Sequence, residues 1–191
     1  MTAKQKSEVR GDTLSFLISP YQHHEWVLWC IAEERSDRAV ASARRISGPV
    51  DENAVRNRLQ TALRRHPVLR LAFDTKEAYA WVMSRVSIPL ITRYARPDED
   101  IAAAVARFTH ETANAPFAMS SVPAMRATLV RAGFGETQES ALLLVAHPII
   151  SDETSLDRLL EEIDADEVPE AIDEASLMRT TELSPLGGMR R

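Results

Sequence analysis

The stretch Leu142 to Ser155, LLLVAHPIISDETS, decides how the rest of this chain is read. Ala141 to Ala146 is an unbroken apolar run of strand length, and a run without alternation predicts a strand covered on both faces. The run would bury Leu142 and Leu144 on one side and Leu143 and Val145 on the other, which implies a central strand. It ends at His147, crosses a short loop carrying Ser151 and Asp152, and enters a segment with Leu156, Leu159, Leu160 and Ile163 on one helical face. Such strand-loop-helix junctions commonly display functional side chains.

Working outward, Ser140 to Ala146 is preceded by a second strand-like stretch, Ala124 to Arg131, across a glycine-rich turn at Gly133 to Thr137. Upstream of it, Ile101, Val105, Phe108 and Thr112 repeat at helical spacing within Asp98 to Thr112, before Pro116 breaks the chain. The clearest helix runs from Asp51 to Arg65, with Val55, Leu59, Ala62 and Leu63 as its buried stripe and Arg56, Arg58, Arg64 and Arg65 facing outward or toward a partner. Pro20 to Ala32 is predicted helical, with Trp26 and Cys30 sharing a face. Strands are predicted at Arg38 to Ile46, with charged edge positions, and at Ile88 to Tyr94, interrupted early by Pro89; Leu69 to Phe73 and Ala78 to Met83 form a hairpin. Helices and strands alternate without a strict β-α-β rhythm, which favours an α+β fold, a two-layer sandwich with a mixed, largely antiparallel sheet.

Three further blocks join the junction in a single resemblance. Ile18-Ser19-Pro20-Tyr21-Gln22 with Trp26 is similar to a Leu-Ser-Pro-x-Gln block with a later Trp. Arg65-His66-Pro67-Val68-Leu69-Arg70 with Phe73 matches Arg-His-Glu-x-Leu-Arg-x-x-Phe, at the usual distance after Gly48-Pro49-Val50-Asp51. Pro116-Phe117 before a Pro123 to Leu129 strand is similar to a Pro-Phe-Asp-Leu segment. In this order, from about residue 14 to 164, the chain resembles the first lobe of the condensation domains of nonribosomal peptide synthetases, in the superfamily that includes chloramphenicol acetyltransferase. The resemblance implies a single chloramphenicol acetyltransferase-like lobe, in a family that works on acyl thioesters held on the phosphopantetheine arm of a carrier protein.

The family's signature at the junction is His-His-x-x-x-Asp-Gly, and here it is degenerate. Aligned on Ser151-Asp152, the first histidine falls on His147, the second on Pro148, and the glycine on Glu153. The family's second histidine is the one thought to deprotonate or position the attacking amine or alcohol, and a proline side chain has no lone pair to offer. His147, one position earlier, should point away from the lost base, as a hydrogen-bonded loop histidine. Asp152 either caps the following helix or pairs with an arginine; by resemblance Arg65 and Arg70 lie on the channel side and are the partners to expect. Glu153 removes a glycine that could hold a positive φ, so the loop is expected to be reshaped as well. No catalytic residue is therefore assigned, and His147, Asp152, Arg65 and Arg70 are read as fixing the loop.

Other reactive side chains are less telling. His23-His24-Glu25 resembles a metal cluster, but neighbouring helical residues lie about 100° apart and converge poorly on one ion. They are read as solvent-facing. His66 is read as a buried, satisfied histidine near a helix C-terminus, where the dipole favours it. Cys30 is the only cysteine, so neither an internal disulfide nor a cysteine-based metal site can form. No metal and no bound cofactor is expected.

Composition narrows the setting. The chain has 191 residues, 45% of them hydrophobic, and a net charge of −5. The acidity is local, because eight acidic and no basic residues lie between Glu161 and Glu174; without them the remainder is +3. Seven arginines between Arg44 and Arg70 are interleaved with aliphatics rather than aromatics, so they describe a solvated helix face and not a nucleic-acid surface. No apolar run approaches the roughly 20 residues that span a bilayer, and the polar N-terminus lacks a signal peptide's apolar centre. The expectation is a cytoplasmic protein with a flexible N-terminus over 1–13, the lobe over 14–164, and an acidic, mobile tail over 165–191 with one short helix from Pro169 to Met178.

Since the resemblance covers one lobe of two, the expectation is that the other half of the reaction channel comes from another polypeptide or a second copy, or that the channel is not used. The leading expectation is a non-catalytic lobe that serves as an interaction or recruitment module in nonribosomal peptide or polyketide biosynthesis, with a carrier protein, a synthetase or a second-lobe protein as partner. The alternative is an acyltransferase completed by a second lobe or subunit that positions substrates without a histidine base. A structural homo-oligomer or a decayed product is the third.

Overall fold

The computed structural model of the chain describes residues 9–10, 13–32, 38–46, 50–117 and 123–165. Its principal sheet has the order β3-β8-β7-β6, built from β3 (Val40–Ile46), β6 (Leu90–Tyr94), β7 (Met125–Ala132) and β8 (Glu139–Ala146). The apolar run is the reason for this order. Ser140 to Ala146 are all buried, and Leu142, Leu143 and Leu144 are at most 1% exposed, so β8 has to lie inside the sheet. It pairs antiparallel with β3, Leu143 opposite Ala43, and antiparallel with β7, Leu143 opposite Thr128. β6 and β7 run parallel, a pairing that needs a crossover, and α3 (Ile101–Ala113) supplies it. Between β7 and β8, Gly133 sits at φ +73°, and a Cβ there would come within 2.7 Å of the Thr137 carbonyl oxygen.

A second sheet, not foreseen as a separate unit, has the order β1-β2-β5-β4: β1 (Val9–Arg10), β2 (Thr13–Leu17), β4 (Leu71–Phe73) and β5 (Tyr79–Val82). The predicted hairpin is its β4–β5 half, turned by Asp74, whose carboxylate accepts from the amides of Lys76 and Glu77. Val9–Arg10 and Thr13, which the sequence places in the flexible N-terminus, are strand residues. The rest of that stretch and the tail beyond Ala165, including the helix expected at Pro169 to Met178, lie outside the described residues.

Helix ends follow the local chemistry. Ser19 and Gln22 form a reciprocal capping box that opens α1 (Pro20–Ile31) with Pro20 in its first turn. Asp51 caps α2 (Glu52–Arg65), Asp100 caps α3, and Asp152 caps α4 (Glu153–Asp164). The α2 stripe of Val55, Leu59, Ala62 and Leu63 is buried as predicted. Arg65 departs from the outward reading, because it too is buried and faces α4. In α1 the inward residues are Glu25 and Trp29, while Cys30 is exposed. Register places α4 over the Leu142/Leu144 face: Ser42 and Arg44, opposite Leu144 and Leu142, bond to Asp157 and Asp164.

Candidate functional site

The loop 147–152 leaves the buried end of β8 and delivers Asp152 to the start of α4. His147 opens it. Its amide donates to the Ala124 carbonyl at 2.8 Å, its carbonyl accepts from the Ile150 amide at 3.1 Å, and its Nδ1 accepts from the Ile149 amide at 3.2 Å. An acceptor Nδ1 places the ring proton on Nε2. The residue is 2% exposed and its ring meets Phe117 edge-on, 6.1 Å between centroids. Burial pushes its pKa down to about 4; the Glu25 carboxylate opposes this and the Arg38 guanidinium adds to it. The imidazole is thus buried, favoured in its neutral form, and has its accepting lone pair engaged by the loop's own backbone.

Pro148, Ile149 and Ile150 are buried, and Gln22 Nε2 reaches across from α1 to the Ile149 carbonyl at 3.3 Å. Ser151 is half-buried, its hydroxyl donating to the Asp152 carbonyl at 3.2 Å. Asp152 is an exposed cap, accepting from the Ser155 amide at 2.7 Å. Bonds to Ser155, assisted by the charge of Arg158, hold its carboxyl below the usual range. Glu153 is the first residue of α4, also exposed.

The arginines do not meet Asp152. Arg65 Nη1 donates to Glu162 Oε1 at 2.6 Å, and His66 shares that carboxylate through Nε2 to Oε2 at 2.7 Å. Arg70 Nη1 donates to the Met83 carbonyl at 3.1 Å. Asp152 is thus a cap rather than half of an ion pair with either of them, and Arg65 fixes the far turns of α4 instead of its entrance. His66, at the α2 C-terminus, is satisfied as expected, but it is half-buried rather than buried, because its partner Glu162 lies on the partly exposed face of α4.

His23 and His24 face solvent, His23 stacking on Trp26, and no group of three or more possible metal-ligating side chains occurs among the described residues. Glu25 behaves differently from its neighbours. It is 2% exposed and accepts from Arg38 at 2.9 Å (Nη2) and 3.3 Å (Nε). This ion pair beside His147 escapes a reading of the sequence; the only local signal is that Glu25 lies four positions before Trp29, on the inward face.

The junction, its capped helix and the two sheets are those of a condensation lobe, and comparison with known proteins agrees. Residues 15–165 match the Condensation domain family, and the chain belongs to it. It is 32% identical over 148 residues to phosphinothricin tripeptide synthetase PhsC of Streptomyces viridochromogenes, covering 75% of this chain and 13% of that protein. It is also 32% identical over 143 residues to a linear gramicidin synthase of Brevibacillus parabrevis, covering 71% of this chain and 2% of that protein. Among solved structures, the starter condensation domain of rhizomide synthetase superposes with a TM-score of 0.70 at 13% identity, over 89% of this chain and 46% of that one. The X-domain from teicoplanin biosynthesis does so at 0.64 and 20%, over 89% and 40%. The chain therefore spans less than half of these solved chains and a small part of these curated synthetases. No helix among the described residues is long and apolar enough to cross a membrane.

Proposed function

We propose that this chain is a non-catalytic condensation lobe that acts as an interaction module in nonribosomal peptide or polyketide biosynthesis. Pro148 carries the argument: aligned on Ser151-Asp152 it falls where the resemblance puts the family's proton acceptor, and it lies in a buried loop where the neighbouring imidazole has its lone pair engaged. General-base catalysis needs a lone pair within hydrogen-bond reach of the nucleophile, and His147, with a pKa of about 4 and 2% exposure, offers none to an incoming amine. The partner is a carrier protein, a synthetase, or a protein bearing the complementary lobe, since the family's substrates ride on a phosphopantetheine arm.

The test is reconstitution of the full chain with carrier-bound acyl thioester and an amine acceptor, alone and with the synthetase proteins of its own pathway. The expected result is stable association without amide formation. Turnover that disappears in Asp152→Ala or His147→Ala overturns the proposal. A second reading, an acyltransferase completed by another lobe, draws on one observation: the chain covers only 46% of a solved condensation domain. Turnover appearing only when a second-lobe protein is added favours that reading.

A further inference from the structure

On the far side of α2 from α4, Gln60, Arg64 and Arg70 face the segment 84–87 across an open cleft of about 540 Å³, lined also by Ser84, Arg85 and Ser87. Guanidinium groups and two hydroxyls line it, with no carboxylate among the described lining residues. The walls are pinned together before any ligand arrives. Gln60 Nε2 donates to the Val86 carbonyl at 3.1 Å, Arg70 Nη1 to the Met83 carbonyl at 3.1 Å, and the Met83 amide returns to the Arg70 carbonyl at 2.9 Å. Ile88 and Leu90, buried just beyond, anchor the segment.

Several other arginines are matched to carboxylates, Arg38 to Glu25, Arg44 to Asp164, Arg56 to Glu52, Arg65 to Glu162 and Arg107 to Glu99, while Arg126 and Arg131 donate to carbonyl or amide oxygens. Arg64, beside Arg65 on the same helix, and Arg85 have no acidic partner among the described residues. Two like charges facing one cleft without a counter-ion are unfavourable, and the arrangement is most stable with an anion between them. Planar guanidinium forks donate in pairs to phosphate oxygens, and serine hydroxyls add single bonds.

We infer that this cleft binds a phosphate group, either as the free ion or as a phosphate monoester, through Arg64 and Arg85, with Arg70 and the two serines as its wall. A phosphate suits it better than a carboxylate, having up to two negative charges and more acceptor oxygens for guanidiniums on opposite sides. The cleft is separate from the loop 147–152, and the inference does not rest on the reading of that loop.

Calorimetric titration of the full chain with inorganic phosphate, glycerol 3-phosphate, acetate and glycerol, at matched ionic strength, tests it. Phosphate and the ester should bind more than about tenfold tighter than acetate, and glycerol not at all. Arg64→Ala/Arg85→Ala should weaken phosphate at least about tenfold, while Arg64→Lys/Arg85→Lys keeps part of the affinity; both residues are exposed, so the variants leave the core intact. Ester binding tighter than phosphate assigns an organic monoester, and equal binding assigns the ion. Acetate binding as well as phosphate, or an alanine variant that titrates like the parent, overturns the inference.

Discussion

The Ile149 amide donates to Nδ1 of His147, so the loop that would present a base instead consumes its lone pair. Two consequences follow for the imidazole. It cannot turn to a substrate without breaking the turn, and protonating it means breaking that bond inside a buried site.

Acid should therefore destabilise the protein through His147. With a folded pKa of about 4 and an unfolded value near 6.5, the unfolded chain binds the proton first. The contribution is full above about pH 6.5 and is lost as pH falls toward 4, by up to about 3 kcal/mol. Urea unfolding at pH 7 and pH 4.5 measures it, and His147→Gln should flatten this part of the profile.

Breaking the Glu162 fork should separate α2 from α4. Glu162→Ala leaves the buried Arg65 guanidinium without its carboxylate, at a cost of about 3 kcal/mol. Glu162→Gln keeps an acceptor oxygen and should cost less. Chemical denaturation of the two variants ranks them; equal costs would mean the charge is unimportant.

The Glu25–Arg38 pair should respond asymmetrically. The Glu25 side chain is 3% exposed and the Arg38 side chain 48%. Arg38→Ala strands a buried carboxylate and should cost about 3 kcal/mol, whereas after Glu25→Gln water solvates the arginine and the loss is about 1 kcal/mol. Thermal melts that reverse this order contradict the burial of Glu25.

Asp152 should behave as a cap and nothing more. Asp152→Ala should cost about 1 kcal/mol, Asp152→Asn a few tenths, because asparagine also accepts from the Ser155 amide. A much larger loss in Asp152→Asn would point to a charge-dependent partner.

What can be read from the sequence depends on range. The apolar run to Ala146 and the α2 stripe are local patterns that periodicity identifies, and Asp152 is the one cap that the sequence reading names. Arg65 is misplaced because a helical pattern assigns arginines to the outside, and its partner Glu162 lies on another helix, beyond any local signal. Glu25 is hidden for the same reason: beside two solvent-facing histidines it looks polar, and only Arg38 makes its burial tolerable. The second sheet joins β2 to β5 across α1, β3 and α2, a pairing that spacing cannot announce. At the site, Pro148 is visible where the resemblance leads one to expect a histidine, but the bond that engages the His147 lone pair needs three dimensions.

The sheet's order also has a bearing on biosynthesis. β8, an interior strand, is the last of the described strands to leave the ribosome, so Val40 must wait for Ala146 before its edge is paired. Until then β3 is an open template in the nascent chain, and the charges of Arg44 and Arg45 guard it against joining a neighbouring polypeptide.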